Sequence, residues 1–246
     1  MRDYLLFRLY GPMAAWGDIA VGEHRPSLSH PSKSAVLGLL AAALGLRRDD
    51  EAGHEALAMH YAMAVCVDAG GELMRDYHTT QVPPRQRGIR YATRRDELAA
   101  ERLNTILSQR DYRMDAAYRI ALWPRGDDAP YTLDQLAQAL AEPRFVLYLG
   151  RKACPPALPL APRSVSAVTL REAFDALLSD HALPDGLYSE EKPMVYWEDL
   201  SAAEAGFPET ALRMQYTRRD RVLSRRRWQF VERQEYAASL SREKTP

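Results

Sequence analysis

The sequence predicts an α+β protein, and three observations lead there. Short apolar segments at residues 4–10, 61–67, 116–123 and 145–149 have strand length and are bounded by Gly or Pro. Two segments between them, 35–44 and 132–140, repeat their apolar residues at helical spacing. The resulting order is β-α-β-β-α-β, the ferredoxin-like order shared with RNA-recognition domains. The third observation is a long basic insertion between the two middle strands, where a hairpin turn belongs.

The first strand, 4–10, ends at Gly11-Pro12. A long loop follows, carrying Trp16, His24, Arg25 and His30. In the first helix Ala35, Val36, Leu39, Leu40, Ala43 and Leu44 share a stripe. Pro31, Ser32 and Ser34 mark its start, and Gly45 lies where a C-cap glycine belongs. Gly38 suggests close packing of this helix against a sheet. Segment 61–67 is apolar on both faces, as a central strand is. Gly70-Gly71 breaks the chain, and the basic stretch 72–119 follows with ten Arg interleaved with Tyr77, His78, Tyr91, Tyr112 and Tyr118. Pro83-Pro84 and Gly88 interrupt it, and 94–108 reads as helical, with Leu98, Leu103, Ile106 and Leu107 on one face. Thr132 opens the second helix with Gln135 at capping-box spacing, Leu133, Leu136, Ala137 and Leu140 face the core, and Pro143 stops it.

After the strand at 145–149 comes a cationic, Pro-rich turn, and Thr169 with Glu172 caps a short helix over 169–178. From Leu187 onward the pattern is strand-like and irregular, and it includes the run Arg225-Arg226-Arg227, a solvated face or a second nucleic-acid contact. The reading divides the chain into residues 1–152, a ferredoxin-like RNA-binding domain with an insertion over about 75–115, and residues 153–246, a smaller β-rich C-terminal subdomain.

With 46% hydrophobic and 27% charged residues, the 246-residue chain is globular and not disordered. Its formal net charge is zero, so no global field draws it to nucleic acid or membrane, and binding must come from local patches. Only Lys33, Lys152, Lys192 and Lys244 among its 33 cations are lysine. The Arg excess suits bidentate recognition, and a GC-rich genome gives the same bias. Cys66 and Cys154 form no disulfide framework or zinc pattern, and His24, His54, His60 and His181 lack ligand spacing, so the reading contains no metal and no cofactor. Asp3 and Arg8 interrupt any signal-peptide core, and the run 35–46 is too short to span a bilayer. The expectation is a cytoplasmic protein without membrane contact.

Candidate binding residues fall in three places. The start of the first helix offers free amides, hydroxyls and a cation through His30, Ser32, Lys33 and Ser34, a phosphate site if Ser32 is more than a cap. Arg47 and Arg48, past the helix end, are either RNA contacts or cations placed there by the helix dipole, and the two readings weigh equally. Gly150-Arg151-Lys152 combines close backbone approach with two cations suited to a phosphate bend. The insertion supplies Arg75, Tyr77, His78, Arg85, Arg87 and Arg90, forks and rings that suit single-stranded nucleic acid. Arg25 joins these cations from the first loop, and Trp16 is either a base-stacking ring or a core residue. Ribonuclease chemistry needs a general base beside the 2′-OH, and His78 is of the residue type that would serve, although a lone His more often stacks or hydrogen-bonds.

Six separated strings carry a family resemblance. They are Leu9-Tyr10-Gly11-Pro12-Met13 with Trp16-Gly17; Arg25-Pro26; His30-Pro31-Ser32-Lys33-Ser34 leading into Leu37-Gly38-Leu39-Leu40; Leu44-Gly45 with Arg48-Asp49-Asp50; Arg75-Asp76-Tyr77-His78-Thr79; and Tyr148-Leu149-Gly150-Arg151-Lys152 with Cys154-Pro155. Together they resemble the CasD family, the small RAMP-type subunits of the type I-E CRISPR surveillance complex Cascade. The similarity runs to about Pro162 and is loose beyond it. It implies an RRM/RAMP-type ferredoxin-like domain with a long β-hairpin thumb, a subunit that binds the 5′ handle of the CRISPR RNA and contacts the large subunit CasA and the backbone subunit CasC. Target DNA would be met through the complex. The type I-E members are binding subunits, whereas type I-C relatives are metal-independent endoribonucleases that process the precursor RNA. The reading adopted is the non-catalytic RNA-binding subunit, with the endoribonuclease as its alternative.

Overall fold

The computed structural model describes residues 1–178, 187, 193–208, 212–224 and 226–240. Arg225, Lys192, Lys244 and His181 lie outside the described residues. The fold is α+β and is built on antiparallel strand pairs.

A seven-stranded sheet contains β1 (Arg2–Tyr10), β4 (Tyr61–Ala69), β7 (Ala117–Pro124), β8 (Arg163–Ala167), β9 (Met194–Trp197), β10 (Leu212–Ser224) and β11 (Gln229–Ser239), in the spatial order β10-β11-β9-β4-β7-β1-β8. Its central strands are buried on both faces, which is why their sequences are apolar without alternation. Strand period 2 sorts their side chains between two cores. Leu5, Phe7, Leu9, Tyr61, Met63, Val65, Tyr118, Ile120 and Leu122 point to one face, against α1 (Lys33–Leu44) and α4 (Leu133–Ala141). Tyr4, Leu6, Ala62, Ala64, Cys66, Ala121 and Trp123 point to the other, against α5 (Leu170–Leu178) and the apolar residues of β9 and β11. The strands at the ends of the sheet come from the C-terminal part of the chain, so both parts share this sheet and the second of its two cores.

The helices start and stop where their capping chemistry places them. The Ser32 side chain accepts from the Ala35 amide, and Gly45 takes the left-handed φ of 81° that closes α1. Thr132 and Gln135 form the reciprocal capping box of α4. Thr169 and Glu172 do the same before α5. A helix the pattern reading passed over, α2 (Glu51–His60), starts at Asp50, whose side chain accepts from the Gly53 amide.

Between β4 and β7 the chain leaves the sheet as a ribbon. Strands β5 (Glu72–Val82) and β6 (Asn104–Met114) pair along their whole length, from Glu72↔Met114 to Val82↔Asn104. Gly71 sits where the ribbon departs, with φ 63°, and a Cβ there would lie 2.3 Å from the Met114 carbonyl oxygen. The short strands β2 (Met13–Ala14) and β3 (His24–Arg25) add to β6, so the first loop braces the ribbon's base. The connection 83–103 carries α3 (Arg94–Leu98) behind a Thr93 capping box.

Three expectations are corrected. The helix over 94–108 stops at Leu98, because pairing with β5 claims the chain from Asn104 onward. Segment 145–149 is not a strand. The place beside β1 is taken by β8, while the Arg144 and Phe145 amides donate to the Ala43 and Ala42 carbonyls at the end of α1. Gly38 lines an open groove, not the sheet.

Candidate nucleic-acid interface

The structure buries two of the predicted cationic or titratable contacts. Lys33 is 1% exposed, and its Nζ lies 2.6 Å from Glu198 Oε1. Its backbone amide donates to Asp220 Oδ2 at 2.8 Å. Burial pulls its pKa down to about 8 against the opposing pull of Glu198. His30 stacks on Tyr196 at 3.9 Å, donates from Nε2 to Glu235 Oε2 at 2.9 Å and receives the Ser29 hydroxyl at Nδ1. Burial keeps this ring below its ordinary pKa, hence neutral. Glu235, bonded also by Arg233, stays ionised with a pKa of about 2. His30 and Lys33 therefore fasten the entrance of α1 to β9, β10 and β11 and do not present themselves to a phosphate. Trp16 is corrected too. It is 2% exposed and packs edge-on against Tyr118, so its ring is core and no base reaches it.

At the base of the ribbon several of the predicted cations lie together. Arg151 donates from one terminal nitrogen to the Asp111 carbonyl and from the other to the Arg25 carbonyl, both at 3.1 Å, and its guanidinium lies 4.5 Å from the Tyr112 ring centroid. Arg75 makes a two-pronged pair with the Asp111 carboxylate at 2.8 and 3.1 Å. With His24 beside it as well, Asp111 is held at a pKa of about 2. Arg25, Arg75 and Lys152 remain exposed around this anchor. Gly150 is required by a protein contact: a Cβ there would lie 1.8 Å from the Ala15 carbonyl oxygen, and φ is 87°. Its absent side chain admits the first loop.

Of these residues Arg25, Gly150 and Arg151 line one wall of a groove of about 620 Å³. Its floor is the α1 face Ser34, Ala35, Gly38 and Ala42, where small side chains leave the space. Arg25, Arg47, Arg48 and Arg151 line it against Asp18, so the local field is positive in a chain of zero net charge. Ser32 and Ser34 open into it from the helix start, their hydroxyls 3.1 Å apart. Trp228 comes in from the turn between β10 and β11, and Phe230 from the start of β11. A trough with cations on its rim and aromatic rings in its wall suits a single strand of nucleic acid.

With that geometry in place, comparison with known proteins is decisive. Residues 4–236 match the family described as CRISPR-associated protein (Cas_Cas5). The chain belongs to this Cas5 family. It is 35% identical over 202 residues to the CRISPR system Cascade subunit CasD of Escherichia coli (strain K12), a match covering 78% of this chain and 83% of that protein. It is also similar to a chain of a CRISPR RNA-guided surveillance complex, with a TM-score of 0.63 at 28% identity over 96% of this chain and 90% of that one. A crystal structure of a Cas protein matches with a TM-score of 0.59 at 26% identity, covering 99% and 97%.

In this Cas5-family chain the ribbon residues stand apart from the groove. Tyr77 is 60% exposed on the ribbon, and His78 turns to the opposite face, 3.9 Å from Asp76. Arg85, Arg87 and Arg90 are exposed in the connection at the tip. Sequence reasoning did not put Tyr148, Trp228 or Phe230 in the site. The last two carried a usable signal, aromatic residues directly after an Arg run. Among the described residues no group of His, Cys, Asp and Glu has metal-holding geometry, and no helix is long and apolar enough to cross a membrane.

Proposed function

We propose that this chain is a non-catalytic, RNA-binding subunit of a Cascade-type, CRISPR RNA-guided surveillance complex, and that its groove holds the 5′ handle of the CRISPR RNA. The observation that carries the proposal is the convergence of Arg25, Arg47, Arg48 and Arg151 on a groove floored by small residues of α1. The family and the E. coli relative named as a Cascade subunit support the assembly. The four strands β8-β1-β7-β4, with α1 and α4 on one face, support a ferredoxin-like RAMP domain. The β5–β6 ribbon is its thumb, with Arg75 at the base, Tyr77 and His78 along it, and Arg85, Arg87 and Arg90 at the tip. Lys152 supplies a phosphate contact at the groove's edge. Residues 1–152 carry the thumb and the cations of the groove, and residues 153–246 complete its wall with Trp228 and Phe230 as a smaller part. Within that assembly the protein partners are CasA and CasC, and target DNA is the final ligand, in the cytoplasm.

The test is binding of single-stranded repeat RNA across a salt series. Arg151→Ala with Lys152→Ala is expected to weaken binding and to flatten the log–log salt slope by about 0.7 for each phosphate left unneutralised. Circular dichroism checks that the variant is folded. An unchanged slope removes this loop from the site. Incubating the parent with labelled repeat RNA in EDTA tests the absence of catalysis: a single cut that His78→Ala abolishes would make the chain an endoribonuclease.

A further inference from the structure

The turn between β10 and β11 holds the one tryptophan that the core does not use. Trp16, Trp123 and Trp197 are fully buried, whereas Trp228 is 54% exposed. Its backbone has φ 54°, a left-handed conformation unfavourable for a bulky residue. Strain of this kind persists only where the surroundings enforce it, and it gathers at ligand sites. Here the turn is pinned. The Ser224 hydroxyl donates to Glu51 in α2 and accepts from the Arg227 amide. The result is a large indole held in the wall of the basic groove. Phe230 meets it edge-on at 5.6 Å, and the Arg48 guanidinium lies 4.9 Å over its ring.

We propose that Trp228 is a stacking platform for one unpaired base of a strand lying in the groove, and that Arg48 positions that nucleotide from the adjoining rim. The proposal rests on the reading of the groove as the RNA site. Nucleic acid is the favoured occupant because the groove whose wall the ring forms is also lined by Arg25, Arg47, Arg48 and Arg151, a field suited to phosphates. A base offers a flat π-face to an indole whatever its identity, so the contact orders the strand without reading its sequence.

The burial of the other tryptophans gives the test a clean readout. The full chain is titrated with single-stranded repeat RNA while tryptophan fluorescence is followed, and the titration is repeated with strands carrying one abasic position at a time. Binding is expected to quench the parent. Trp228→Ala is expected to lose the quench and to bind roughly tenfold more weakly or worse, since base–aromatic stacking is strong. Trp228→Phe is expected to lose the quench yet recover part of the affinity. One abasic position is expected to weaken the parent and to be silent in Trp228→Ala. Three outcomes overturn the proposal, each with its own meaning. If Trp228→Ala binds as the parent does while Arg151→Ala with Lys152→Ala binds weakly, the groove holds RNA without this ring. If Trp228→Ala binds RNA normally but no longer assembles with partner subunits, the ring meets protein. If the parent binds no strand at all, the groove reading fails and the platform with it.

Discussion

Lys33 shows how one side chain reverses its meaning once its surroundings are known. In the sequence it is a cation at a helix start, a ready phosphate ligand. In the fold its ammonium is enclosed with Glu198, whose carboxylate also accepts from the Met63 amide at 3.2 Å. Glu198→Ala would leave a buried cation without that partner and an amide without its acceptor. The expected loss is about 3–5 kcal/mol in urea unfolding, as for breaking other buried pairs. Lys33→Met combined with Glu198→Leu is expected to return part of it, because two apolar groups need no counterion while the Met63 amide still lacks its acceptor. A double variant as unstable as the single one would show that shape, not charge, is at stake. Burial lowers the Lys33 pKa from 10.5 to about 8, so the folded chain sheds this proton first. Stability should therefore rise from pH 8 to 10.5 through this residue. Local chemistry was legible: Ser32 as a cap, Gly45 as a left-handed stop, Thr132 with Gln135 as a box. The partner of Lys33 stands 165 residues away, and no spacing rule reaches that far.

Among the elements, the ribbon was half legible. Its boundaries, its charge and its place between two central strands followed from Gly70-Gly71, the Arg density and strand-like flanks. Its second strand did not, because Leu103, Ile106 and Leu107 fit a helical face as well as a pleated one. Pairing with Glu72–Val82 decided between them. Segment 145–149 failed for the converse reason: its alternation is real, with Leu147 and Leu149 buried and Val146 exposed, but alternation does not say whether the neighbour is a strand or a helix end. The tip can be removed in register, since Val82 and Asn104 are direct partners. Replacing residues 83–103 with Asn-Gly closes the hairpin with a two-residue turn. The thermal midpoint is expected to stay within a few degrees of the parent, because this segment is exposed or only partly buried. Guide-RNA retention is expected to fall with the removal of Arg85, Arg87 and Arg90. A midpoint lowered by much more would make the tip part of the core.

At the scale of the whole molecule, the two cores and the single sheet argue for one cooperative unit. β4 has β7 on one side and β9 on the other, so its two pairings join the N-terminal and C-terminal parts of the chain. Buried polar pairs add three further ties from the start of α1: His30 to Glu235, Lys33 to Glu198 and the Lys33 amide to Asp220. The parts before and after residue 152 are thus tied together, and unfolding is expected to be a single transition. Acid should loosen the same ties, and the signs agree. His30 is neutral in the fold with its pKa below the usual 6.5, so protons favour the unfolded chain once pH falls through that value. Glu235 has a pKa of about 2 in the fold and 4.5 when free, so its contribution is intact above 4.5 and is lost as pH falls toward 2. Urea unfolding at pH 7, 5.5 and 4, followed by tryptophan fluorescence and by far-ultraviolet dichroism, is expected to give coincident curves whose midpoint falls with pH. Trp16 and Trp123 report the N-terminal part, and Trp197 the C-terminal part. Curves that separate already at pH 7 would mean that the two parts fold independently and that the shared sheet does not bind them into one.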